Sequence, residues 1–371
     1  MRTEELHIAA VASALPDRVH TADALASGQC DRRVAEQTGI VSVSVSETAS
    51  AAELAAEAAV RAMRRSGVPP EDLRIVLHAD VHYQGHDLWA PASHVQDAVG
   101  GSRCPAVEIR QLSNGGMAGL ELAAHVLRGQ DSPAAALVTT GDTFGMPGFD
   151  RWRSDPGTVY GDGGTAAVLT NHGGFAVVRS VATVSDPTLE RMHRGDDPFG
   201  RMPFSVRAPM DLEVLKRDYL ASNGVGAAVR KVVEGQRDAL TTALKDAEAD
   251  LSGIDWFVLP HFGLRRLTAG YLKAWDIDLD ATTWPWGRTI GHLGAGDQFA
   301  GLEQLVLSGR ARPGQRLLFA GVGAGFSWSC AVAELTAVPA EWEPAPRHQP
   351  DSSGFRPAEP RLGSQDHPAG S

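Results

Sequence analysis

Only three cysteines, Cys30, Cys104 and Cys330, occur in 371 residues, far apart and without a CxxC pair. That spacing offers neither a disulfide framework nor a zinc site, so buried thiols are the simplest reading. Basic residues are also scarce: 34 Lys and Arg stand against 45 Asp and Glu, a net charge of −11. A chain with this balance is not built to hold nucleic acid. An acidic protein partner would need a local basic patch. No stretch is long and apolar enough to span a membrane, and the short apolar run at residues 8–12 follows no basic leader. We therefore expect a cytoplasmic protein without a membrane partner. What is present is ordinary globular composition, 43% hydrophobic and 21% charged, in a length that suits two domains or one large layered unit.

Short apolar strands are expected at residues 8–14, 74–79, 106–110, 134–140, 165–170 and 256–259. Helical patterns cover 51–65, 90–99, 116–127, 210–221 and 226–247, the first closed by Gly67 and the Pro69-Pro70 pair. Helices alternating with short strands indicate layered α/β architecture. Residues 185–208 carry charges, prolines and scattered Phe199, Met202 and Phe204 without a period, as a loop covering a site would. Beyond about residue 338 the chain holds seven of its 22 prolines and almost no aliphatic residues, the composition of a disordered tail, 338–371.

The stretch Arg110-Gln111-Leu112-Ser113-Asn114-Gly115-Gly116 leaves a strand, breaks into glycines and enters an apolar helix. A hydroxyl at a helix start stands beside unpaired amides and a partial positive charge, which favour a nucleophile and its developing oxyanion. The competing role for Ser113 is a simple helix N-cap. An internal echo bears on the choice. Ala118-Gly119-Leu120-Glu121 and the strand at 134–140 return as Ala300-Gly301-Leu302-Glu303 and a strand at 316–320. A duplicated chain would bring both helix starts to a shared centre, with halves at 1–172 and 173–337.

The second helix start is preceded by Gly291-His292-Leu293-Gly294-Ala295-Gly296-Asp297. A serine needs a base within reach and an acid to orient that base; Ser113, His292 and Asp297 supply those types. The alternatives are a loop histidine and an N-capping aspartate. His261 follows an apolar strand, where it could bond a carbonyl oxygen or serve as acid or base, or simply pack. The runs Gly161-Asp162-Gly163-Gly164 and Gly321-Val322-Gly323-Ala324-Gly325 lead into strands, not helices, and so are not dinucleotide loops. His78, His82 and His86 are spaced by four outside a helix, a weak basis for a metal site, and no metal is expected.

With these residues in view, the chain resembles the ketoacyl-acyl-carrier-protein (ACP) synthase III branch of the thiolase superfamily over roughly residues 6–335. The resemblance rests on Ala14-Leu15-Pro16, Gln37-Thr38-Gly39-Ile40, the Ser113 stretch, Tyr160-Gly161-Asp162-Gly163-Gly164, Pro260-His261, Gly291-His292 and Gly323-Ala324-Gly325-Phe326-Ser327-Trp328. It implies a five-layered αβαβα thiolase-like fold, a homodimer, a tunnel for the phosphopantetheine arm of coenzyme A or acyl carrier protein, and an acyl-enzyme without a further cofactor. In condensing members of that family a cysteine stands at the position of Ser113, and the histidine of Pro260-His261 acts with an asparagine that here is His292. The family's His-Gln-Ala-Asn run is here His261-Phe262-Gly263-Leu264.

Serine is a weaker nucleophile than a partly ionised cysteine and requires the added base. The chain is similar to serine-bearing relatives of antibiotic pathways that prime polyketide chains or move acyl groups. The resemblance then implies acyl transfer without decarboxylation, from carrier or CoA to a carrier-borne or small-molecule acceptor. In it Ser113 is the nucleophile, His292 the base, Asp297 its orienting acid and His261 a positioning group. The amides of Ser113 and Ala324 would form the oxyanion hole, and Arg266 would dock the acidic carrier. A decarboxylating priming ketosynthase and a silent scaffold for a carrier are the alternatives.

Overall fold

The computed structural model describes residues 1–101, 103–339 and 342. Nine strands join in one sheet: β1 (Arg2–Ala14), β2 (Leu73–Ala79), β3 (Ala106–Ile109), β4 (Ala135–Asp142), β5 (Gly163–Thr170), β6 (Ala176–Ser185), β7 (Trp256–Val258), β8 (Arg316–Gly323) and β9 (Ser327–Leu335). Their order is β3-β2-β4-β5-β1-β6-β9-β8-β7. Apart from the edge strand β3, it reads the same from both ends. The run β2-β4-β5-β1 is mirrored by β7-β8-β9-β6, each beginning with a parallel pair and continuing antiparallel. The halves meet along β1 and β6, where Leu6 faces Val178 and Ile8 faces Ala176.

The principal helices are α1 (Ala51–Ser66), α2 (Pro91–Ala98), α3 (Gly115–Leu127), α4 (Leu212–Asn223), α5 (Val225–Asp246) and α6 (Asp297–Leu307). The start of α1 is set by a capping box, in which Ser50 accepts from the Glu53 amide and Glu53 accepts from the Ser50 amide; its end is Gly67 in the left-handed conformation. α1 covers the outer face of β1, β4 and β5, and α5 covers β6 and β9. Between the two sheet halves lie α3 and α6, each touching strands of both. The result is the five-layered αβαβα arrangement. Because α3 is enclosed, it is apolar nearly all round, and because β4 and β5 are covered on both faces, their residues are buried without alternation.

Close approach between layers depends on glycine. A Cβ on Gly164 of β5 would lie 2.2 Å from the backbone carbon and oxygen of Leu54 in α1. Backbone atoms cannot move aside as a side-chain tip can. Gly164→Ala is therefore expected to destabilise the fold by about 3 kcal/mol, read by thermal or urea unfolding, while Gly253→Ala, which meets open space, leaves the transition unchanged. Equal transitions for the two proteins would refute this packing account.

Two differences from the sequence reading are local. β1 begins at Arg2, ahead of the expected residue 8, and β6 occupies a stretch for which no strand was expected. The expected boundary at 172/173 falls in the turn between β5 and β6. Apart from residues 338, 339 and 342, the expected tail at 338–371 lies outside the described residues. Among the described residues, no helix is long and apolar enough to cross a membrane.

Candidate active site

Ser113 sits on a single 3-10 turn, Leu112–Asn114, between β3 and α3. The turn is sharp: Leu112 has φ +47°, a left-handed conformation that costs a leucine on the order of 1 kcal/mol. Its neighbours hold it there. Asn114 Nδ2 donates to Gln111 Oε1 (2.6 Å) and to Ser329 Oγ on β9 (2.7 Å). The end of β8 packs so closely that a Cβ on Gly323 would lie 2.0 Å from the Gln111 carbonyl oxygen. Asn114, not Ser113, occupies the N-cap position of α3, and it makes no side-chain cap bond. The Ser113 hydroxyl is thereby free for another partner.

That partner is His292. Ser113 Oγ lies 2.8 Å from His292 Nε2, and His292 Nδ1 lies 2.5 Å from Asp297 Oδ2. With Nδ1–H donating to the carboxylate, Nε2 is left as the acceptor for the serine proton. The His292 backbone is pinned between the Val159 carbonyl and the Gly161 amide, and its ring meets Tyr160 and Phe262 edge-on at 5.0 and 5.5 Å. His292 and Asp297 are each 1% exposed. Burial shields the His292–Asp297 bond from water.

Asp297 opens α6 but caps nothing with its side chain. Its Oδ1 accepts from the Leu293 amide (2.8 Å), and Oδ2 accepts from the His261 amide (2.7 Å) as well as from His292. Burial alone would raise the carboxyl pKa; the adjoining His261 and His292 imidazoles and these hydrogen bonds hold it below its ordinary value. The helix starts converge as the internal echo suggested. A Cβ on Gly116 would lie 2.5 Å from the Ala295 carbonyl oxygen.

Two further expected site residues, His261 and Arg266, are engaged with buried carboxylates. His261 lines neither of the cavities that meet at Ser113; Phe262 does. The His261 ring is buried against Trp286 and over Gly287, where any Cβ would collide with it, and Nδ1 faces the Gly291 carbonyl (3.2 Å) and Asp297 Oδ1 (3.3 Å). His261 thus backs Asp297 with both its amide and its ring. Arg266, expected to dock a carrier, is held by a buried partner and keeps only part of its side chain at the surface. It makes two 2.8 Å bonds to Asp155 and one of 2.6 Å to Thr158 Oγ1, because Asp155, 4% exposed, needs a buried partner. Burial raises the Asp155 carboxyl pKa, but the guanidinium overrides that and holds it well below the usual range. The remaining third of the Arg266 side chain is exposed, and Arg266 lines the larger of the two cavities.

Ser113 stands where those two cavities join. The larger, about 360 Å³, is walled by Val229, Val232 and Val233 of α5 and by Trp328, and also carries Lys216 and His193. Burial, with Lys216 and Arg266 nearby, pulls His193 down to about 4, so that its ring is neutral. The smaller, about 200 Å³, is walled by Phe144, Phe149, Tyr160 and Phe204, with His82. Ala324 lines both. Of the three residues expected in the covering loop, Phe204 reaches the smaller cavity; Phe199 and Met202 are 88% and 71% exposed and line neither. A cleft of about 480 Å³ between residues 1–6 and the end of α3 does not reach Ser113.

Sequence reasoning missed Asp155, in a loop, His193, at the end of a 3-10 helix (Pro187–His193), and Lys216, on the partly polar α4, and no spacing marks them. His78, His82 and His86 do not converge: His78 bonds Thr139 and Gln84, His82 stacks among phenylalanines, and His86 bonds the Asp87 carbonyl at the surface.

Comparison with known proteins follows the same lines. Residues 244–335 match the C-terminal model of 3-oxoacyl-[acyl-carrier-protein] synthase III. A β-ketoacyl-[acyl-carrier-protein] synthase III of Rhizorhabdus wittichii is 28% identical over 305 residues, covering 81% of this chain and 90% of its own. Among solved structures, ChlB3, described as an acyltransferase, is 34% identical with a TM-score of 0.87, spanning 92% of this chain and 100% of its own. The 3-oxoacyl-[acyl-carrier-protein] synthase III of Aquifex aeolicus VF5, at 17% identity, shares the fold with a TM-score of 0.72 over 89% of this chain and 99% of its own.

Proposed function

Because the chain belongs to the ketoacyl-ACP synthase III family of the thiolase superfamily and is an acyl-transferring enzyme, we propose that it moves an acyl group through a Ser113 ester without decarboxylation. The donor is a carrier-borne or CoA thioester, and the acceptor a second carrier or a small molecule of secondary metabolism. The observation that carries this reading is the unbroken Ser113–His292–Asp297 relay at 2.8 and 2.5 Å. The likeness to an acyltransferase supports it.

In the first half-reaction His292 Nε2 takes the Ser113 proton as Oγ attacks the thioester carbon, and Asp297 stabilises the imidazolium. The tetrahedral oxyanion rests on the Ser113 and Ala324 amides. As the C–S bond breaks, His292 returns the proton to the departing thiolate. In the second half-reaction the acceptor loses its proton to His292, attacks the ester, and Ser113 leaves with that proton. A homodimer belongs to the same reading.

Decarboxylative condensation is the competing reading, favoured by relatives named as ketoacyl synthases. It calls for two donors facing the nascent enolate, whereas His292 is engaged with Ser113 and Asp297 as a base. The discriminating experiment supplies acetyl-, benzoyl- and malonyl-CoA to the purified protein. Intact mass is expected to rise by one acyl group with no carbon dioxide released. Carbon dioxide released in step with a ketoacyl product would overturn the proposal.

A further inference from the structure

The larger cavity at Ser113 holds a cation without a partner. Lys216 stands on α4 four residues after Leu212 and three before Tyr219, both buried, so helical spacing turns it inward with them. It reaches the cavity, whose lining carries two cations, Lys216 and Arg266, and one carboxylate, Asp155. Both Asp155 oxygens accept from Arg266. Among the described residues Lys216 Nζ has no hydrogen bond and no ion pair, and neither ring nitrogen of His193, which lines the same cavity, has a partner. Unlike Nε2 of His82 and of His261, these nitrogens are not sealed in the core. A lysine drawn among valines and a tryptophan ordinarily pairs with a carboxylate. Here the protein's own carboxylate is already taken.

We propose that the larger cavity takes a substrate fragment bearing a carboxylate, which pairs with Lys216 Nζ and accepts a second hydrogen bond from His193. The proposal rests on the acyl-transfer reading for calling the fragment a substrate. Charge supports it: Lys216, Arg266 and Asp155 leave one positive charge over in the lining, and the neutral His193 ring has one N–H to donate. One carboxylate balances that charge, whereas a phosphate dianion would leave a negative charge among apolar walls. Burial lowers the Lys216 pKa, and a carboxylate in front of the amine would raise it again. The hydroxyl and amides of a pantetheine arm are uncharged and would leave Lys216 unpaired. Because Ser113 and Lys216 line one cavity of about 360 Å³, a fragment anchored at the lysine is oriented at the nucleophile. The carboxylate belongs to the acyl group or to the acceptor, and the chemistry at Lys216 is the same for both.

Two series of probes, titrated calorimetrically into the Ser113→Ala protein, separate these sources. The donor series is non-reactive amide analogues of pantetheine carrying malonyl, succinyl or glutaryl groups, each beside its terminal-amide counterpart. The acceptor series is 4-hydroxybutyrate and 3-(4-hydroxyphenyl)propionate, each beside its amide. In one series an acid is expected to bind about 10-fold or more tightly than its amide, and that series identifies which substrate carries the charge. Lys216→Met keeps the length of the side chain and removes the charge. It should bring the ratio to within about 2-fold while binding of the amide persists. Acids that bind no better than their amides in both series, or that do not bind measurably in either, overturn the proposal, and a ratio that survives Lys216→Met overturns the role of Lys216. Thioesters matching the donor series, given to the unaltered protein, report transfer separately: selective binding of the acids without any acyl adduct would sink acyl transfer and leave the carboxylate site standing.

Discussion

Ser113→Ala is expected to abolish acyl-enzyme formation, with the acylation rate falling by roughly 10⁴-fold or more. The hydroxyl is the only side-chain group on the turn that faces both cavities and His292, and its removal leaves no substitute nucleophile within the relay. The loss should be chemical and not structural. Ser113 Oγ has one protein partner, His292 Nε2, which remains beside a water-accessible cavity, and the turn itself is held by Asn114 and by the packing of Gly323. Unfolding midpoints should therefore coincide within about 0.5 kcal/mol. Ser113→Cys supplies the complementary arm. A thiol beside His292 is a competent nucleophile, so the mass adduct should return, now as a thioester cleaved by neutral hydroxylamine. Retention of the full adduct in Ser113→Ala would place the acyl group elsewhere and refute the mechanism.

The second large effect is expected from Asp297→Asn. The carboxylate accepts three N–H groups, from His292, His261 and Leu293. An amide must aim its NH₂ at one of them. If it meets His292, the imidazole switches tautomer and Nε2 carries a proton where the serine needs a lone pair; acylation should fall roughly 10³- to 10⁴-fold. The same substitution destabilises the fold, since a buried N–H loses its acceptor, by about 1–3 kcal/mol. The pH dependence has a definite sign. The folded-state pKa of Asp297 lies below its ordinary value, so the carboxylate stabilises the fold above the unfolded carboxyl pKa of about 4 and that contribution is lost as pH falls through the lower folded value. The stability gap between Asp297→Asn and the unaltered protein should thus be full at pH 7 and shrink under acid, as measured by urea unfolding. Acylation at the unaltered rate would remove Asp297 from the relay.

These two residues also show how far sequence order reaches. The strand before Ser113, the glycines after it and the apolar α3 are local features, and the repeat at Ala300-Gly301-Leu302-Glu303 ties α6 to α3 within the sequence. β6 escaped because its residues are mostly buried on both faces and do not alternate, while β1 gained its first residues by pairing with β6, a partner 170 or more positions away. The residue types of a serine relay were therefore legible, but not their contact.

Side-chain direction was not legible at all. His261 and His292 both follow apolar or glycine-rich segments, yet one turns its ring into the core over Gly287 and the other reaches Ser113. Arg266 reads as a surface charge until Asp155, 111 positions earlier, takes it into a buried pair. His82 looks like one of three spaced histidines until Phe144, Phe149 and Phe204 enclose it. The sequence alone determined the layered fold, the duplicated centre and the chemical types available there, since those follow from local propensity and periodicity. Only the tertiary structure decided which histidine serves the serine, which charge is neutralised, and which chamber adjoins the nucleophile, because each depends on distant segments competing for the same buried donors, acceptors and volume.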